Sequence, residues 1–270
     1  MTSQFKPASG VLASLDLLQI SCDDSVAHVR LNRPAKRNAI SDTLIQQLHT
    51  CFINLPEQVR AAVVSGEGDH FCAGLDLSEL VERDIGSGVL HSRMWHAAFD
   101  AIQFGRVPVV AVLHGAVVGG GLELASSCHI RVAEASAYFG LPEGQRGIFV
   151  GGGGSVRIPR LMGVARMSDL MLTGRVYDAN EGVQVGLAQY LVPDGEGLAK
   201  GIALARRIAT NAPMSNYAVM HALPRIADQA QSEGLLTESL MAAVAESTPD
   251  AQSRLRAFLE GRAGKVVKGS

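Results

Sequence analysis

The chain has 270 residues, 47% of them hydrophobic, with a formal net charge of −2 at pH 7. That is enough apolar material for one large domain, or one domain with an appendage. The near-neutral balance excludes a global field that would recruit nucleic acid or an anionic membrane. Cys22, Cys51, Cys72 and Cys128 lie far apart with no CxxC pair, which argues for reduced thiols and against zinc or a disulfide framework. No basic segment followed by an apolar run opens the chain, and no stretch reaches about 18 uninterrupted apolar residues. The expectation is a soluble, cytoplasmic protein.

In chain order, residues 1–14 are expected as a loose leader. Val26–Leu31 reads as a strand ended by the turn signal Asn32-Arg33-Pro34. Ser41 can cap a helix over 42–54, with Leu44, Ile45, Leu48 and Phe52 at helical spacing. Residues 61–65 read as a short buried strand before the turn at 66–69. The spacing predicts a helix over 88–105 that carries the only tryptophan, Trp95. A strand over 108–113, a helix after Gly120, a strand pair near 129–140 and helices near 152–175 continue the rhythm. From 196 onward the pattern is nearly all helical. The chain thus divides into an α/β core over 15–195 and a helical portion over 196–270. The repeated strand–loop–helix units suggest stacked turns of a spiral, although no strict period is visible.

Residues 113–125, Leu-His-Gly-Ala-Val-Val-Gly-Gly-Gly-Leu-Glu-Leu-Ala, carry the most chemistry. An apolar strand runs into three glycines, which leave the backbone N–H groups open to a ligand. The helix start that follows supplies free donors and a field favouring negative charge. Glu123 puts an acid or base beside that donor site, and donors for a developing oxyanion next to a proton carrier read as an enzyme. Tight packing at a helix start is the plainer alternative. The loop is not a phosphate loop, because no GxxxxGK[ST] occurs, and it lacks GxGxxG spacing. The second glycine run, 151–154, precedes Ser155, but Arg157 stands where a nucleophile elbow needs its last glycine.

Glu123 lies among Leu122, Leu124 and Ala125, and a carboxylate in such surroundings needs a partner or a function. Glu143 follows Pro142, a good first helical residue, so a capping carboxylate is its plain reading. Beside Glu123 it becomes half of an acid–base pair. In the segment 70–77, Gly74 can keep an approach to the Leu75 N–H clear, and Asp76 reads as a helix cap. His114 at a strand end reads as a satisfied core histidine, and Trp95 as a pocket wall or core residue. Arg33, Lys36 and Arg37 form a basic cluster, either a solvated turn or a phosphate contact.

Together these segments resemble the crotonase (enoyl-CoA hydratase/isomerase) superfamily over nearly the whole chain. The resemblance rests on Leu31-Asn32-Arg33-Pro34 with Asn38-Ala39, on Phe71-Cys72-Ala73-Gly74-Leu75-Asp76-Leu77, and on His114-Gly115 through Gly119-Gly120-Gly121-Leu122-Glu123-Leu124-Ala125. Phe139-Gly140-Leu141-Pro142-Glu143 and Arg157-Ile158-Pro159-Arg160 follow in order. It implies an α/β fold, a crotonase-like spiral of repeated ββα units with a helical C-terminal trimerisation region, assembled as a homotrimer or a dimer of trimers. It implies an acyl-CoA thioester substrate, no metal, and no cofactor beyond the coenzyme A of the substrate. By position, the N–H groups of Leu75 and Gly120 would form the oxyanion hole. Glu123 and Glu143 would be the catalytic pair, and Gly151 a backbone contact near the catalytic water. Arg33, Lys36, Arg37, Ala73, Asp76, Leu77 and Trp95 are the implied substrate and CoA contacts.

The implied activity is hydration of an enoyl-CoA. The alternatives are an enoyl-CoA isomerase, an aromatic acyl-CoA hydratase/lyase, and a non-catalytic acyl-CoA-binding or scaffold member. His114 stands where relatives usually have asparagine. Gly144-Gln145-Arg146 replaces an aliphatic stretch, and Phe149-Val150 replaces a proline. Arg146 is expected to favour the ionised form of Glu143, or to meet a polar acyl group. Lys265 in the basic tail is a further phosphate contact by resemblance.

Overall fold

Short runs of Val and Ala at 26–31, 61–66 and 109–113 become adjacent parallel strands, and the remaining elements of the core pack around them. The computed structural model describes residues 4–79 and 81–262. Its strands are β1 (Lys6–Pro7), β2 (Leu18–Cys22), β3 (Val26–Leu31), β4 (Ala61–Gly66), β5 (Val109–Leu113), β6 (Ala116–Val118), β7 (Ile130–Glu134), β8 (Tyr138–Gly140), β9 (Val176–Asp178) and β10 (Tyr190–Val192). Among the described residues they form a seven-stranded sheet, ordered β1-β2-β3-β4-β5-β7-β10, and a three-stranded sheet, ordered β6-β8-β9. From β3 to β10 the large sheet is parallel. All five residues of β5 are buried, as a parallel strand covered on both faces requires.

Helices α1 (Asp42–Ile53) and α2 (Ile85–Gln103) belong with one face of the large sheet; α3 (Gly120–Ser127), α4 (Gly154–Met162), α5 (Val164–Thr173) and α6 (Ala179–Gln184) follow. Ser41 caps α1 as its sequence suggests, its hydroxyl accepting the Leu44 N–H at 3.1 Å. The helix expected at 88–105 begins earlier, because Asp84 accepts the Ser87 N–H and caps a first turn containing two glycines. On the opposite face of the sheet, α7 (Gly197–Ala209) covers Val63, Val110 and Val112 through Gly201 and Ala205.

The strand pair expected near 129–140 does not pair with itself. β7 joins the large sheet and β8 the small one, and β5 and β6 divide in the same way. The chain between 61 and 72 repeats the move, since Cys72 forms a bridge with Val117 of β6. Each turn therefore places one strand in the large sheet and one extended segment at the small one. This is the spiral expected from the strand–loop–helix rhythm.

Two boundaries shift. The chain divides at Ala209/Thr210 rather than near 196, because the apolar face of α7 is committed to the sheet. Residues 6–14 are not a loose leader: β1 pairs with β2, and Leu12 is buried in the core. The unit from Thr210 contains α8 (Pro213–Tyr217), a π-helical turn at Ala218–Ala222, α9 (Leu223–Ala227), α10 (Gln231–Glu246) and α11 (Pro249–Leu259). Lys265 lies outside the described residues. Among the described residues no helix is long and apolar enough to cross a membrane.

One buried side chain ties the second turn of the spiral to the first. Asn38 is fully buried with φ +55°, a left-handed conformation that asparagine tolerates better than most residues. Its amide donates to Glu67 O at 2.9 Å and His70 O at 2.7 Å, and its Oδ1 accepts the Arg33 N–H at 2.9 Å. Replacing it with alanine strands three backbone groups, so Asn38→Ala should cost about 2–4 kcal/mol. Urea unfolding followed by circular dichroism should show a lower midpoint with an unchanged slope.

Candidate active site

The site is assembled at the corners where the chain crosses from one sheet to the other. After β6, Gly119 adopts φ +54° and turns the chain directly into α3, while its N–H donates to Gly140 O at 2.9 Å. A Cβ at Gly119 would stand 2.8 Å from Glu143 Oε1, so the position also needs glycine for space. The previous corner is fixed by Ile40, whose N–H donates to Gly74 O at 2.7 Å and whose carbonyl accepts the Asp76 N–H at 2.9 Å. Leu75 and Gly120 are thereby brought to one cavity, and their N–H groups take part in no hydrogen bond among the described residues.

Glu123 sits in the first turn of α3, 3% exposed. Its Oε1 accepts the N–H groups of Gly152 and Gly154, each at 2.8 Å. Burial has the largest effect and leaves its pKa above the usual carboxylate range; the amides of Gly154 and Gly152, then the Arg157 charge and the Gly151 amide, oppose the rise without cancelling it. Glu143 lies on the 3₁₀ turn Pro142–Arg146, with Pro142 in the first position as its sequence suggests. It is 7% exposed, and its Oε2 is buried without a hydrogen-bond partner among the described residues. Burial pushes the Glu143 pKa up to about 7, with the nearby Glu123 charge adding to the shift. Arg146, expected to hold Glu143 ionised, has the smallest influence, and loss of solvent outweighs it.

Leu75, Trp95, Gly120, Glu123, Glu143 and Gly151 all line one cavity of about 300 Å³. Trp95 is buried edge-on against Phe99, its Nε1 has no partner among the described residues, and its ring edge lies where a Cβ on Gly120 would fall. Arg33, Lys36, Arg37, Ala73, Asp76 and Leu77 do not line this cavity. Arg33 and Asp76 bond to each other at 2.8 Å, and Arg33 also donates to Ala39 O. The Ser78 hydroxyl, then Arg33, hold the Asp76 carboxyl down at about 2. Lys36 and Arg37 are exposed, and Leu77 is half-exposed at the surface. His114 bonds Gly68 O at 2.8 Å, as a satisfied histidine does.

Several site residues carry no mark in the sequence that singles them out. Gly152 and Gly154 supply the hydrogen bonds to Glu123 Oε1, with the Gly151 amide a weaker influence on the same carboxyl, while Ser92 Oγ donates to Gly151 O at 2.6 Å. Gly88, His91, Ser92 and Trp95 all line the cavity from α2. Their spacing of three, four and seven residues is the helical signal that could have found them. Among the described residues, no group of three or more His, Cys, Asp or Glu side chains is placed to hold a metal ion.

A family model described as enoyl-CoA hydratase/isomerase matches residues 21–266. The chain belongs to the enoyl-CoA hydratase/isomerase family. The Mycobacterium tuberculosis enoyl-CoA hydratase EchA19 is 31% identical over 240 residues, which are 87% of this chain and 90% of that protein. A crystal structure of a Rhodopseudomonas palustris protein assigned as an enoyl-CoA hydratase is 56% identical with a TM-score of 0.90, covering 96% of this chain and 100% of the other. The Bacillus anthracis enoyl-CoA hydratase structure is 30% identical with a TM-score of 0.85, covering 92% and 98%. The spiral described above is therefore the crotonase fold of this family.

The Glu143 shift also makes a stability statement. A carboxyl whose folded pKa is raised binds its proton more tightly when folded, so stability declines as pH climbs from the unfolded value of about 4.3 through the folded value. With the folded value at about 7, the penalty is complete above neutrality and absent in acid. Glu143→Gln should therefore stabilise the protein by about 1–2 kcal/mol at pH 8 and by little at pH 4. Thermal melts at the two pH values compare the variants, and an equal gain at both would contradict the assignment.

Proposed function

We propose that this protein adds water across the α,β double bond of an acyl-CoA thioester. The observation that carries the reading is a pair of buried carboxylates in unequal surroundings, facing one cavity beside two uncommitted backbone N–H groups. The Leu75 and Gly120 N–H groups receive the thioester oxygen, where negative charge grows in an enolate-like transition state. A donor of this kind is worth about 2.7–4 kcal/mol.

Glu123 is the base in this reading: two amides and the Arg157 charge support its charged form against the burial that raises its pKa. It takes a proton from water as the water oxygen bonds to Cβ. Glu143, neutral up to about pH 7, gives its proton to Cα as the enolate collapses. Hydroxyl and hydrogen are thus added, and return of the Glu123 proton to Glu143 through solvent completes the cycle. The two groups interact, so their titrations belong to the pair. Family membership and the similarity to hydratases support an acyl-CoA substrate, with coenzyme A entering only as part of it. Lys36 and Arg37, exposed on the turn before Ala73, are the phosphate contacts in this reading, while Arg33 braces Asp76. The apolar residues exposed on α10 and α11, Leu236 and Phe258 among them, support assembly as a homotrimer or a dimer of trimers.

With crotonyl-CoA, the wild-type protein should bleach the enoyl absorbance and yield the 3-hydroxyacyl product. Glu123→Gln and Glu143→Gln should each lower kcat by about 10²–10⁴-fold. In the wild type kcat/KM should fall as pH rises through about 7, because Glu143 of the free enzyme then loses the proton it must deliver. Near-normal hydration by both variants, or 3-enoyl product without hydroxyacyl product, would overturn the reading.

A further inference from the structure

Arg157 of α4 does not line the cavity, yet it holds the loop that holds Glu123. The residue is 8% exposed. Its Nη1 donates to Gly152 O at 2.9 Å, its Nε to Gln103 Oε1 at 2.6 Å, and its Nη2 to Asp100 Oδ1 at 2.6 Å. The next residue of the loop, Gly153, has φ +94°, and a Cβ there would fall on Nη1. The guanidinium is therefore packed directly on the loop backbone. Gly152 is engaged at both ends, with its carbonyl on Arg157 and its N–H on Glu123 Oε1.

Packing alone does not account for this choice of side chain. Burying a cation costs several kcal/mol unless its partners are well placed, and a neutral amide could brace one carbonyl oxygen. A planar, permanently charged fork does two things at once: it fixes several acceptors in one plane and sets a positive field near the carboxylate. We propose that Arg157 is a positioning residue for hydration, clamping the Gly152 peptide and thereby holding the Glu123 carboxylate in its proton-accepting orientation. The inference rests on the reading of Glu123 as the base. Asp100 and Gln103, on the last turns of α2, complete the clamp from behind. The charged and titratable groups around the pair are Glu143 on its 3₁₀ turn, Asp100 on α2 and Cys128 after α3. Cys128 is pushed up to about 12 by burial and stays neutral across the working range.

The test is a pair of substitutions with opposite expected signs, read as kcat and KM for crotonyl-CoA across pH. Arg157→Gln removes a cation from beside Glu123, so the low-pH limb of kcat should move up by about one unit. Its kcat at pH 7 should fall by about 10–100-fold with KM within about twofold, because a misaimed base slows chemistry more than binding. Asp100→Asn leaves the cation less compensated, so the same limb should move down, by less than about half a unit because Asp100 is half-exposed. Arg157→Lys keeps charge without the fork, so the limb should stay near its wild-type position while only part of kcat returns.

Circular dichroism and calorimetric titration with crotonyl-CoA report whether each variant folds. If Arg157→Gln does not, Asp100→Asn and Arg157→Lys carry the comparison. Limbs that move the same way in all folded variants, or an unchanged kcat in Arg157→Gln or Arg157→Lys, overturn the proposal. Near-normal hydration by Glu123→Gln removes the base reading and this inference with it. An inactive Glu123→Gln beside an unaffected Arg157→Gln overturns the positioning role alone.

Discussion

Taking the Glu123 carboxylate out of water is the constraint around which the site is organised. A carboxylate buried without partners would cost several kcal/mol or simply hold its proton. Here two amides and a nearby guanidinium oppose that cost. The amides can reach the carboxylate only if the chain passes very close to it. A Cβ on Gly154 would stand 2.8 Å from Glu123 Cγ, and one on Gly152 would press on Phe99 and Trp95. The second glycine run is therefore the counterpart of the first. One opens the backbone at Gly120, and the other brings backbone to the acid that follows it.

The spiral explains why these groups meet. Every turn sends a strand into the large sheet and an extended segment to the small one, so every turn has a corner, and the corners stack. Leu75 lies at one, Gly120 at the next and Glu143 at the third. Backbone contacts tie the corners, Ile40 with Leu75, Cys72 with Val117 and Gly119 with Gly140, and the Asn38 side chain adds to them. Regular ladders thus set the spacing of donors and carboxylates, and rigid elements hold such constellations more tightly than free loops do. The same arrangement removes the inner N–H groups of Leu75 and Gly120 from the ladders, leaving them available to a ligand.

Sequence pattern carries the large elements and the two glutamates because both leave local marks. Apolar runs mark β3, β4 and β5; Ser41 marks the start of α1; three glycines before an acid mark α3. What it does not carry is pairing at a distance. β6 and β8 are three residues each, too short for periodicity, and their separation from β5 and β7 depends on a second sheet no local signal announces. Arg33 and Asp76, 43 residues apart, read in sequence as part of a basic turn and as a helix cap, and the fold sets them against each other. The Arg157 contacts span 54 and 57 residues, so the motif containing it is legible while its partners are not. Arg146 departs from expectation for a different reason. Adjacency in sequence suggests that its charge governs Glu143, but the loss of solvent around that carboxyl has the greater effect.

That last point bears on how two identical side chains can take different parts in one reaction. The donors that oppose the burial of Glu123 belong to the fold and stay in place whatever occupies the cavity. Glu143 Oε2 has no donor among the described residues, and its own backbone N–H gives the charged carboxyl some support. An acyl chain lying along Ile148 and Val150, which wall the same cavity, would displace solvent from it. Displacement penalises the charged form of Glu143 more than that of Glu123, because the Gly152 and Gly154 amides both hold Glu123 while Glu143 Oε2 has no donor among the described residues. In the proposed reaction, substrate binding therefore widens the difference between the two groups, making Glu143 a more secure proton donor beside the amide-supported Glu123.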